Sequence, residues 1–132
     1  MSGTQDDIER DIERIVDELV DGTPDVRGAV VGSADGHPLT ARLDEVDADA
    51  ATIAAMGAAA VGLSTQLVRV VSQARSANTH IRSATAQVWV LDVGHVATLT
   101  VFAAQHGDSA AIAAAAQRAS TRLVEALTPH AG

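Results

Sequence analysis

The chain has 132 residues, a net charge of −8 and no cysteine, which allows one domain with a single core but no disulfide or thiolate metal site. Fourteen of its 17 acidic residues fall within the first 49 positions, all nine basic residues are Arg, and there is one Trp, one Phe and no Tyr. That composition excludes the basic patch and stacking platform of a nucleic-acid binder, and the acidic N-terminus reads as no signal peptide.

Ile8, Ile12, Ile15 and Leu19 recur at spacings of four, three and four, which predicts a first amphipathic helix over residues 5 to 21. Thr4 is its expected cap, and Gly22 with Pro24 its stop. Val26 to Ser33 reads as a small, β-branched strand. Ala34-Asp35-Gly36 turns the chain, and His37 to Leu43 returns as the second strand of a hairpin.

An acidic connector, Asp44 to Asp49, then leads into a long helix expected from Ala50 to Ser76, about 40 Å at 1.5 Å per residue. Met56, Ala60, Leu63, Leu67, Val70 and Ala74 form a heptad-like stripe along it. Its flanking positions are small (Ala54, Ala55, Gly57, Ala58, Ala59, Gly62), which would admit a second backbone closely. One face is expected on a sheet, and part of the rest against a second copy of the chain. The uncharged stretch Ala50 to Val68 has the length of a membrane span, but its Ala, Gly, Thr, Ser and Gln content argues against direct insertion.

Asn78 is the expected left-handed cap of this helix. Three short strands should follow: Thr79 to Ser83, brief and polar, then Gln87 to Leu91 and Val96 to Ala104. Gly107-Asp108-Ser109 opens a final helix to Leu127, with Ile112, Ala116, Ala119, Leu123 and Leu127 on one face. The order predicts an α+β sandwich with a five-stranded, mostly antiparallel sheet. Residues 1–132 read as one domain, with its core over about 5–128.

The chemistry-bearing residues do not assemble into a motif. Ser33, Asp35 and His37 suggest a hydrolase, but the positions two before and two after Ser33 are Val31 and Asp35, not the glycines of a nucleophile elbow. The five histidines show no paired helical spacing, and the connector carboxylates lack the order of a calcium loop. With no Lys there is no P-loop. Arg27, Arg42 and Arg75 lie near element ends, where an arginine finger would have reach, although Arg is also this chain's only cation for ordinary surface charge. Trp89 faces opposite to Val88 and Val90, as a core residue under a helix would. No catalytic residue, metal or cofactor is expected.

Several segments together resemble the Roadblock/dynein-light-chain superfamily in its bacterial form. They are Gly22-Thr23-Pro24-Asp25-Val26, Gly28 through Leu39, the Ala-rich helix opening at Ala50 to Met56, and the hairpin Val90 to Val101. The resemblance spans roughly residues 8 to 127. It departs at Ser76 to Ala86, where many relatives carry a more hydrophobic strand, and in the Ala-rich final helix.

The resemblance implies a homodimer whose third strands pair into one continuous sheet. Long helices would pack across the two-fold on one face, with the first and last helices on the other. Met56, Ala60, Leu63, Leu67, Val70, Ala74, Thr79, Ile81 and Ser83 are the expected dimer interface. Ser33, Asp35, His37 and Arg42 are the expected partner surface. The resemblance further implies a cytoplasmic, non-enzymatic regulator or adaptor of a Ras-like small GTPase, as in bacterial clusters that pair such a GTPase with a sensor kinase. A nucleotide-independent scaffold of a sensor-kinase complex, or a small-ligand sensory module, are the alternatives.

Overall fold

The structure, a computed structural model, describes residues 2–44, 46–72 and 78–128. Eight elements follow one another: α1 (Ser2–Gly22), β1 (Val26–Ser33), β2 (Pro38–Arg42), α2 (Ala50–Val71), β3 (Thr79–Arg82), β4 (Ala86–Val93), β5 (Ala97–Ala104) and α3 (Ser109–Leu127). The five strands form one sheet in the order β2-β1-β5-β4-β3, and every pairing is antiparallel.

Strand alternation sends successive side chains to opposite faces, and the two faces differ in kind. Ala29, Val31, Leu91, Val93, Leu99 and Val101 face α1 and α3, which answer with Ile12, Ile15, Val16, Leu19, Ile112 and Leu123. Each such aliphatic side chain contributes about 1.5–3 kcal/mol when fully buried, so this side holds most of the burial energy. The opposite face carries α2 on a thin layer of Val30, Ile53 and Ala54, with Leu43 and Phe102 at its margin.

Small residues let α2 approach the sheet closely. A Cβ at Gly57 would stand 2.8 Å from the Thr100 hydroxyl, and one at Gly32 would stand 3.0 Å from the Ala54 Cβ. Ala54 and Gly57 therefore meet the chain's own sheet rather than a second backbone, correcting one expectation from the sequence.

Other differences are local. α1 begins at Ser2, so Thr4 lies inside its first turn rather than capping it. α2 ends at Val71, short of the expected Ser76. The Ser72 backbone N–H closes the last helical bond, to the Val68 carbonyl at 2.8 Å, its hydroxyl donates to the same oxygen at 3.0 Å, and its extended backbone ends the helix. Asn78 is no cap of α2: its side-chain oxygen accepts from the Asp92 backbone N–H at 3.2 Å. β3 stops at Arg82, because the Ser83 hydroxyl accepts from the N–H groups of Thr85 and Ala86 and so forms the turn. α3 is capped by Asp108, which accepts from the Ala111 N–H at 3.2 Å. Glu45, Ala74, Arg75 and Ser76 from the expected connector, stripe and helix end lie outside the described residues, as does His130.

Candidate interaction surface

A helix that rests on a sheet by one narrow face must present the rest to solvent, and the α2 sequence is apolar on both sides. Ile53, Ala54 and Gly57 are buried. Met56, Leu63 and Leu67 are 60–66% exposed and Val70 is 83% exposed, while Ala60 is half-buried. These are five of the six stripe residues expected from the spacing. The stripe borders an apolar groove of about 240 Å³, walled by Met56 and Ala60 of α2, Ile81 of β3, and Val88, Val90 and Phe102 of the sheet. A contiguous exposed patch of this kind marks an interaction site more often than an accident of composition.

Beside the groove lies the free edge of the sheet. Among the described residues β3 pairs only with β4, so its outer backbone groups have no partner strand there. Thr79 and Ile81 point to the α2 side, and the Thr79 hydroxyl lies 2.6 Å from that of Ser64 in α2. The two elements with unfilled contacts are thus joined to each other directly.

The hairpin residues that suggested hydrolysis form a turn instead. The Ser33 hydroxyl donates to the Asp35 carboxylate and accepts from the His37 backbone N–H at 3.0 Å. The His37 ring sits 3.7 Å from Asp35, so the hydroxyl is engaged by the carboxylate of its own turn and not by an imidazole. The hydrogen bond from Ser33 holds the Asp35 carboxyl below the usual carboxylate range. Gly36, at φ 92, takes the left-handed position the turn requires.

Arg42 is tied down within the chain by carboxylates. Its guanidinium is bound by Asp17 at 3.1 Å and by Asp21 and Asp44 at 2.7 Å, tying α1 to β2 and the connector. Those hydrogen bonds, from Asp44 first, raise its pKa further and keep it charged. A side chain held by three carboxylates is unsuited to reach into a partner's site.

The profile of the Roadblock/LC7 domain matches residues 13–103. The chain belongs to the Roadblock/LC7 domain family. No curated protein is matched by the sequence itself. Among solved structures, MglB of Myxococcus xanthus superposes with a TM-score of 0.82 at 16% identity, covering 94% of this chain and 95% of that one. The gliding protein MglB of Thermus thermophilus gives 0.79 at 16% identity, with 90% of each chain covered. A Roadblock/LC7 domain from Streptomyces avermitilis gives 0.77 at 19% identity, covering 86% of this chain and 95% of that one. At such identities the likeness is one of fold: α1 and α3 on one face, α2 on the other.

Within this Roadblock/LC7 domain the sequence reading overlooked one polar anchor. Gln87 is fully buried, and its amide nitrogen donates to the carbonyls of Ala104, Gln105 and Gly107 at 2.9–3.2 Å. Its oxygen receives the Ser109 hydroxyl at 2.8 Å and lies 2.9 Å from His80 Nε2. His80 in turn stacks on Trp89, with ring centroids 3.5 Å apart. Trp89 packs against the α1/α3 core, as its alternation predicts. The signal was present as a lone amide at the head of an apolar strand, Gln87-Val88-Trp89-Val90-Leu91. Among the described residues no three His, Asp or Glu side chains converge as metal ligands would.

Proposed function

We propose that the chain works as a homodimeric, non-enzymatic regulator or adaptor of a Ras-like small GTPase in bacterial signalling. The observation that carries this is an exposed apolar stripe on α2 beside the open β3 edge, in a domain of the Roadblock/LC7 family. Two copies related by a two-fold axis can satisfy both features together: Leu63, Leu67 and Val70 pack helix to helix, and Thr79 to Arg82 pair strand to strand. The resulting composite surface is the element that meets a partner. Regulation then rests on which nucleotide state of the partner fits that surface.

α2 has the length and composition of a membrane-crossing helix, with a mean hydropathy of 1.5 and 17% of it buried. Helix pairing accounts for that exposure without a bilayer, and we place the protein in the cytoplasm. The Ser33–His37 turn lies at an exposed corner of the sheet and is the remaining candidate for partner contact.

The test is affinity capture from source-cell extract, run with GDP and with a non-hydrolysable GTP analogue. A small GTPase enriched in one nucleotide state supports the proposal. Recovery of a sensor kinase, indifferent to nucleotide, replaces it with the scaffold reading.

A further inference from the structure

A second cleft, of about 370 Å³, opens on the opposite flank of α2 from the apolar stripe. Thr65 and Arg69 line it from α2, Asp92 and His95 from the β4–β5 hairpin, and Ala34 from the β1–β2 turn. The stripe proposed for dimerisation contributes none of these residues.

The cleft has a fixed imidazole. Asp92 has a side chain only 6% exposed, and both its oxygens face His95: one accepts the His95 backbone N–H at 3.1 Å, the other lies 2.9 Å from ring Nδ1. Nδ1 therefore donates to Asp92, and Nε2, with no partner among the described residues, becomes a donor toward an anion when the ring takes up its second proton. His95 occupies this position at φ 65, next to Gly94 at φ 58. A glycine would fill that left-handed site without strain, so the turn tolerates an unfavourable backbone while presenting a ring.

The cleft also has an unmatched charge. Arg10, Arg14, Arg42 and Arg122 all pair with carboxylates. Arg69, like Arg82 and Arg118, has neither ion pair nor hydrogen-bond partner among the described residues, and of these three it alone lines this cleft. With the Asp92 carboxylate balanced by a protonated His95, the charge left to answer a ligand is that of Arg69. Ala58, Val61 and Ala97 supply apolar wall, and the volume falls within the range of small-molecule sites.

We propose that this cleft binds a small organic oxyanion, a carboxylate or phosphate monoester, with Arg69 and His95 holding the charged group and Ala58 and Val61 its apolar part. The site is independent of the partner reading above, and either can fail without the other.

The test is an NMR titration of the full chain with butyrate and, separately, methyl phosphate, following the His95 ring and the Arg69 side chain. Saturable shifts at both residues, weakened at least tenfold by Arg69→Gln, are the expected result. The stronger of the two arms identifies the oxyanion class. His95→Asn keeps a residue tolerant of the left-handed turn and should also weaken binding at least tenfold. Shifts that never saturate, equal shifts at His37, His80 and His106 outside the cleft, or unchanged affinity in both variants overturn the proposal.

Discussion

The hydroxyls of Ser64 and Thr79 meet 2.6 Å apart, fastening the middle of α2 to the first residue of the edge strand β3. The contact makes the helix stripe and the strand edge one rigid unit, so a partner that engages either engages both. Ser64→Ala should loosen that unit. Hydrogen exchange over Thr79 to Arg82 should accelerate several-fold while exchange in β1 and β5 stays unchanged; equal rates would show that β4 alone holds the edge.

Leu67 is 61% exposed, so Leu67→Glu removes no core contact of the isolated chain and should shift its stability within about 0.5 kcal/mol. In the proposed dimer it places a charge in the helix seam. Light scattering should report half the wild-type mass, with a helical CD spectrum retained. A dimer of unchanged mass would falsify the placement of Leu67 in the interface.

Gly57 is a test of the other side of α2. Gly57→Val would drive a Cβ to 2.8 Å from the Thr100 hydroxyl, with a second branch beyond it. Overpacking of this kind costs about 1–3 kcal/mol, and the melting temperature should fall accordingly. Gly62 has nothing within 4 Å of its would-be Cβ, and Gly62→Ala should instead stabilise α2 by about 0.5–1 kcal/mol. Equal responses at the two glycines would contradict the orientation of the helix.

Gln87→Leu keeps the size of a fully buried side chain but removes both its donor and its acceptor. Three carbonyls, a hydroxyl and an imidazole lose a partner, at a cost of about 2–3 kcal/mol from the groups left without water. Urea unfolding measures it. A loss below about 0.5 kcal/mol would mean that water replaces the amide.

Two carboxyls ionise more readily in the folded chain than at their ordinary value of 3.8: Asp44, through the Arg42 guanidinium, and Asp35, through the Ser33 hydroxyl. A lowered folded-state pKa stabilises the native form fully above the unfolded value and progressively less as pH falls below it. The stability difference between wild type and Asp44→Asn should therefore be constant above 3.8 and shrink below it. A difference that stays constant through acid unfolding would remove the ionised Asp44 as its source.

Much of the fold was legible because its elements announce themselves in residue spacing. Ile12, Ile15 and Leu19 fix the buried face of α1, and Val26 to Ser33 matches β1 residue for residue. The end of α2 was not legible, since Ser72 leaves the helix by turning to an extended backbone, which apolar periodicity does not encode. The surroundings of Arg42 were hidden for a related reason. Asp17 and Asp21 lie far from Arg42 in sequence and only the packing of α1 beside β2 brings them together. The pairing of Asp92 with His95 was visible as an i, i+3 spacing, but the cleft around it depends on where α2 crosses the sheet.

Ile53, Ala54 and Gly57 seat α2 on its own domain, while Met56, Leu63 and Leu67 look outward from the same rod. Substitutions in the first group are judged by folding, and those in the second by the company the protein keeps. Recognition can thus drift, duplicate or change allegiance along one helix without the rest of the chain registering the change.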